Sequence, residues 1–247
     1  MGQRVQLGEV DTWYADDGAG EPLVLLHPGG ADARAFDGIV PGLARRFRVL
    51  RPDRRGHGRT PDVAGPITYE QMARDTVAFI EQVVGGHAFV VGHSDGAPVG
   101  LLTALQRPDL VRRLVFASGV FHHDGWTPGA ISLDDEAMAF FVAWHGEVSP
   151  DGPGAFHALY EKLDRMHREE PTLTVDDLSG YPGPALVLVG DGDDEIHIAH
   201  TLALRDGLPD AQLAIVPGTG HGVLVEKPDL CNRLITDFLT EPRPTGV

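Results

Sequence analysis

The sequence predicts an α/β fold: a mostly parallel, eight-stranded sheet flanked by helices, with a small helical cap inserted after the sixth strand. Three observations carry this expectation. Short, continuous apolar runs at 23–26, 88–91, 114–117 and 185–189 suit strands buried on both faces of a parallel sheet. Helix-period segments alternate with these runs, as βαβ units require. Between about 121 and 184 the alternation stops, and helical patches at 134–145 and 154–169 are separated by Gly/Pro-rich turns.

In chain order, residues 4–7 and 11–15 flank a Gly8-Glu9 turn and read as an antiparallel pair. Gly18 and Gly20 mark a loop before the strand at 23–26. The stretch 31–47 reads as partly helical, and 48–51 as a strand. Thr68-Tyr69-Glu70-Gln71 has the capping-box pattern and opens a helix to about 84, with Met72, Thr76, Phe79, Ile80 and Val83 at helical spacing. A helix over 97–106 is stopped by Pro108. After the insertion come a strand (185–189), a helix (199–207), a strand (212–216) and a helix (224–239). The tail, 241–247, carries two prolines and is expected to fray. The expected division is a core of 1–120 and 185–247 with a cap of 121–184.

A chain of 247 residues, 42% hydrophobic, suits one domain with a modest insertion. Thirty-six acidic residues against 20 basic ones give a net charge of −16, a surface that repels nucleic acid and anionic lipid. A neutral or cationic small-molecule substrate is compatible with that charge, which does not identify it; the expected partner is a small-molecule substrate, with no nucleic acid and no membrane, and the chain a monomer or homodimer. The single cysteine, Cys231, allows no intrachain disulfide and sits in an apolar-periodic stretch. The first ten residues lack a long apolar run, and nothing reaches transmembrane length, so a cytoplasmic location is expected.

Gly92-His93-Ser94-Asp95-Gly96 is a G-x-S-x-G pentapeptide between a predicted strand and a predicted helix. With five serines and 31 glycines in the chain, chance seldom produces it, and less often in that context. The two glycines let the turn close and leave Ser94 exposed at a strained apex. The N–H of Asp95, at the helix start, can help bind an oxyanion. A serine hydroxyl needs a base. His221, in Gly218-Thr219-Gly220-His221-Gly222 after the last predicted strand, is the one candidate in that region. The acid that orients it should follow the strand at 185–189, where Asp191, Asp193, Asp194 and Glu195 are available. Spacing prefers Asp193, with Asp194 the main rival.

Five segments in this order resemble the α/β-hydrolase family: Leu25-Leu26-His27-Pro28-Gly29-Gly30, Arg51 through Gly58, Gly92 through Gly96, Val189 through Asp193, and Gly218 through His221. The resemblance implies that Gly29 supplies a second oxyanion N–H beside that of Asp95, and that the acid falls on Asp193. Pro28 stands where the family usually has glycine. Proline cannot donate, but the donor required lies at Gly29. The Asp53 to Gly58 segment, His57 included, is expected to be structural. Relatives with dehalogenase or epoxide hydrolase activity use aspartate as nucleophile, and Ser94 argues against both.

In the insertion, Ala137, Phe140, Phe141 and Trp144 recur at i, i+3, i+4 and i+7. Phe140, Phe141, Trp144 and Trp126 are the expected substrate-binding residues, with Phe121, Phe156 and Tyr160 as weaker candidates. His122-His123-Asp124 and His197/His200 match no complete ligand spacing, so no metal is expected, and acyl transfer requires no cofactor. The Asp95 carboxylate favours the helix N-terminus electrostatically, and it is also expected to disfavour anionic acyl groups and tolerate cationic ones. The expected reaction is hydrolysis of a small carboxylic ester or lactone. The alternatives are C–C bond cleavage or perhydrolysis by the same residues, and a non-catalytic ligand receptor on the same fold.

Overall fold

The computed structural model describes residues 2–241, so the expectation for 242–247 lies outside the described residues. Eight strands form one sheet in the order β1-β2-β4-β3-β5-β6-β7-β8. They are β1 (Gly2–Leu7), β2 (Val10–Gly18), β3 (Glu21–Leu26), β4 (Phe47–Pro52), β5 (Ala88–His93), β6 (Val111–Ala117), β7 (Ala185–Gly190) and β8 (Ala211–Val216). The β1–β2 and β2–β4 pairs are antiparallel, and every pair from β4–β3 to β7–β8 is parallel.

The apolar runs are continuous because alternate side chains feed two separate cores. On β3, Val24 and Leu26 join one cluster while Leu23 and Leu25 join the other. The first cluster lies under α2 (Tyr69–Phe79), α3 (Gly96–Gln106) and α6 (Ile198–Gly207). The second lies under α1 (Val40–Leu43), α7 (Val223–Glu226) and α8 (Pro228–Thr240), and takes in Cys231 as a buried core thiol pushed up to about 11 by desolvation.

Three segments depart from the expected outline. The Thr68 hydroxyl accepts from Gln71 N at 3.0 Å, but the Gln71 amide turns to Asp75, so only half of the capping box forms. The helix expected to run to 84 becomes a π turn over Ile80–Val84, closed by Gly85 N donating to Ile80 O. The last helix is two, because Pro228 opens α8 at a position where its missing N–H is not needed.

Between β6 and β7 the chain adds α4 (Asp135–Gly146) and α5 (Ala155–Glu169). The Asp134 side chain accepts from Ala137 N at 2.8 Å and caps α4. Phe156, Leu159, Leu163 and Met166 form one face of α5 and join the first core. Arg34 fastens the insertion from the other side: its guanidinium lies 4.1 Å from the Trp144 ring centroid and donates to Trp144 O at 2.5 Å. Among the described residues no helix is long and apolar enough to cross a membrane.

Candidate active site

The parallel strands end on one side of the sheet, and the candidate side chains sit on the turns that follow them. Ser94 follows β5 at φ 53, in the left-handed region where a non-glycine residue is strained. The flanking glycines are required by contact. A Cβ on Gly92 would lie 2.1 Å from Gly96 O, and one on Gly96 would lie 1.9 Å from Leu26 O. Ser94 N donates to Ala117 O at 2.9 Å and ties the turn to β6.

His221 sits beyond β8 in a loop held at several points. Asp191 Oδ1 accepts from Gly218 N at 2.6 Å and from Thr219 N at 3.3 Å. Glu226 accepts from Gly220 N at 3.0 Å. His93, the first variable position of the pentapeptide, donates from Nε2 to His221 O at 2.9 Å. Burial, with His221 nearby, pushes His93 down to about 4, so it holds the loop as a neutral ring.

These supports bring three side chains into a row. His221 Nε2 lies 2.9 Å from Ser94 Oγ, and His221 Nδ1 lies 3.2 and 3.3 Å from the two oxygens of Asp193. With Nδ1–H donated to Asp193, Nε2 is the acceptor for the serine hydroxyl. The Asp193 side chain is almost fully buried. Asp194 is exposed and meets the insertion instead, its carbonyl accepting from Thr127 Oγ1 at 2.5 Å. Glu195 reaches the row from the side, with Oε2 3.5 Å from His221 Nε2. Burial acts to lower the pKa of His221, but the Asp193 hydrogen bond and the Glu195 charge outweigh it and raise the imidazole above its ordinary value. Burial acts to raise Asp193, and the His221 hydrogen bond and charge hold it below its ordinary value.

Gly29 and Asp95 face the same space, and their N–H groups enter no hydrogen bond among the described residues. A Cβ on Gly29 would lie 2.2 Å from Asp95 Oδ2, so a side chain there would have to displace the Asp95 carboxylate. The Asp95 side chain is more than a helix-end charge. Its Oδ1 accepts from Tyr69 Oη at 2.7 Å and pairs with His167 Nε2, on α5, at 2.8 Å. Burial acts to raise its pKa, but His167, Arg54 and the Tyr69 bond hold it far below the usual carboxylate range. His167, Tyr69 and the Glu195 contact are absent from the sequence-level expectation. A histidine next to the buried face of α5 was the only signal for the first.

A cavity of about 190 Å³ opens over Ser94 and His221. Trp126 and Phe141 line it, together with Phe156 and Tyr160. Phe140 and Trp144 do not belong to the lining, a correction to the aromatic stripe. The stripe is wider than the face α4 turns inward, so Phe140 is 57% exposed and the Trp144 ring lies against Arg34. Phe121 is buried and stacks on His200, ring centroids 4.0 Å apart. His57 is buried, bonds to Arg55 O through Nδ1 and is not in the lining. His122, His123 and Asp124 place one ligand atom each within 4.8 Å of one another, outside that lining.

A family model described as the alpha/beta hydrolase family matches residues 23–234. RutD of Azorhizobium caulinodans, named provisionally as a carbamate hydrolase, is 26% identical over 95% of this chain and 97% of its own length. The 2-hydroxy-6-oxo-6-(2'-aminophenyl)hexa-2,4-dienoic acid hydrolase of Metapseudomonas resinovorans is 26% identical over 96% of this chain and 90% of its own. The crystal structure of a serine hydrolase involved in carbazole degradation superposes with a TM-score of 0.83 at 23% identity, covering 98% of this chain and 99% of that one, a likeness of fold.

Proposed function

The chain belongs to the alpha/beta hydrolase family, and we propose that it is a serine hydrolase acting on a small carboxylic ester or lactone through an acyl-enzyme intermediate. The observation that carries the reading is the row Ser94 Oγ, His221 Nε2, His221 Nδ1 and Asp193, open to a cavity with apolar walls. Ser94 Oγ attacks the substrate carbonyl as its proton passes to His221 Nε2. The tetrahedral oxyanion is met by the N–H groups of Gly29 and Asp95, each worth about 10²–10³ in rate. On collapse, His221 returns the proton to the leaving alkoxide. Water, deprotonated by His221, then releases the acyl group as a carboxylic acid. Asp193 orients the imidazole and stabilises its charged form.

The cavity is smaller than the roughly 300–1,000 Å³ of sites for drug-sized ligands, which favours short acyl groups. A panel of p-nitrophenyl esters followed by stopped flow tests the proposal. Acetate to butyrate should be cleaved faster than decanoate, with a burst of p-nitrophenol stoichiometric with enzyme. Absence of turnover on every ester would shift the reading to C–C bond cleavage by the same row. Because the base must be neutral and its pKa is raised, the acid limb of kcat/KM should lie above 6.5. Glu195→Gln removes a charge that favours the imidazolium, so the limb should move to lower pH. An unmoved limb would mean that Glu195 does not act on His221.

A further inference from the structure

After β6 the chain enters the insertion through a short turn, His123–Gly125, and three metal-ligating side chains stand there in a row: His122, His123 and Asp124. One ligand atom from each lies within 4.8 Å of the other two. The Asp124 carboxylate faces both rings, with Oδ2 3.5 Å from His122 Nδ1 and Oδ1 3.3 Å from His123 Nδ1. A tetrahedral zinc ion, with bonds of about 2.0–2.2 Å to imidazole nitrogen and carboxylate oxygen, sets its ligand atoms about 3.3–3.6 Å apart. The two imidazoles stand side by side, ring centroids 4.4 Å apart. His122 Nδ1 accepts from Asp124 N at 3.2 Å, so that nitrogen carries a lone pair rather than a proton, as metal binding needs, and the bond is long enough for a cation to replace it.

The turn is held from three sides. His123 N donates to Pro171 O at 2.8 Å and His122 bridges Thr172, where the chain leaves the insertion. His197 N donates to Gly125 O at 3.0 Å. The His200 ring fills the space beside Gly125, where a Cβ would lie 2.5 Å from it, and its Nε2 accepts from Phe121 N at 3.0 Å. These contacts fix the backbone and leave the ligands open to solvent, with side-chain exposures of 31% for His122, 30% for His123 and 80% for Asp124. The net charge of −16 draws cations toward the surface.

We propose that His122, His123 and Asp124 form a binding site for a divalent transition-metal ion of the zinc class, with water completing the coordination. Two imidazoles and one carboxylate suit zinc, copper or nickel, whereas magnesium and calcium take oxygen ligands. The three ligands are consecutive, so chain spacing does not announce them, and the turn is what brings their atoms together. The bound ion locks the turn that ties the two ends of the insertion and runs directly into Trp126, a wall of the cavity.

Calorimetric titration of the metal-stripped protein with zinc chloride tests the proposal. One ion should bind per chain, and magnesium chloride should give no saturable heat. Zinc at 100 times its Kd should raise Tm by about 5–10 °C. His123→Ala and Asp124→Asn, both at solvent-open side chains, should each weaken zinc binding at least about tenfold, the loss seen when even an outer partner of a metal site is removed. His221→Ala, which dismantles the other histidine–carboxylate grouping, should bind zinc as the parent does. Copper(II) bound in place of zinc should show two coordinated nitrogens by electron paramagnetic resonance, and one in His123→Ala. Absence of saturable zinc binding, parent-like affinity in either His123→Ala or Asp124→Asn, or loss of the site in His221→Ala would overturn the proposal.

Discussion

Ser94→Ala should lower kcat on p-nitrophenyl butyrate by about 10⁶-fold, and His221→Ala by nearly as much, with the double variant no worse than either. The expectation follows from geometry. Ser94 Oγ and His221 Nε2 stand 2.9 Å apart, and in the proposed reaction they act as one unit, so removing either would leave the other without a task. Residual catalysis would come from the Gly29 and Asp95 N–H groups and from binding alone. Alanine at 94 also relieves none of the contacts that set the turn, which belong to Gly92 and Gly96, so the far-ultraviolet spectrum should be unchanged. Steady-state kinetics on the three proteins checks this. Independent, multiplying losses would show that the two residues do not share a step.

Asp193→Asn should lower kcat about 10⁴-fold with little change in KM, while Asp194→Asn should stay near the parent. The two carboxylates are neighbours in sequence and unlike in setting. Asp193 is buried against His221 Nδ1, and Asp194 is exposed, its backbone carbonyl bonded to Thr127. An asparagine at 193 can present its amide N–H to Nδ1, which moves the imidazole proton to Nε2 and leaves Ser94 without an acceptor. Comparable losses in both variants would mean that the acid has been assigned to the wrong aspartate.

How much of this was legible depends on whether the determinant was local. The elbow was readable because two backbones pass so close that only glycine fits at 92 and 96, a constraint that shows as letters in the sequence. The alternating cores under β3 were readable as a continuous apolar run. The position of His221 beside Ser94 was readable from its place after the last strand, and that of Asp193 beside His221 from spacing. The pair Asp95–His167 was not, because it joins residues 72 apart across the insertion. Helical period marks which face of α5 is buried, but not which core residue lies beneath it. The same limit explains Phe140 and Trp144. Their spacing places them on a stripe with Phe141, yet only packing decides how much of that stripe turns toward the cavity. The π turn after Phe79 and the break before Pro228 shift boundaries without moving any side chain of the site.

The central claim is that the reaction passes through an ester of Ser94. Intact-mass measurement of the protein quenched in acid during turnover of p-nitrophenyl butyrate tests it most directly. A mass increase equal to one butyryl group, carried by the peptide containing Ser94 and absent from Ser94→Ala, is the expected result. Turnover with an adduct on another residue, or full turnover retained by Ser94→Ala with no adduct at all, would contradict it.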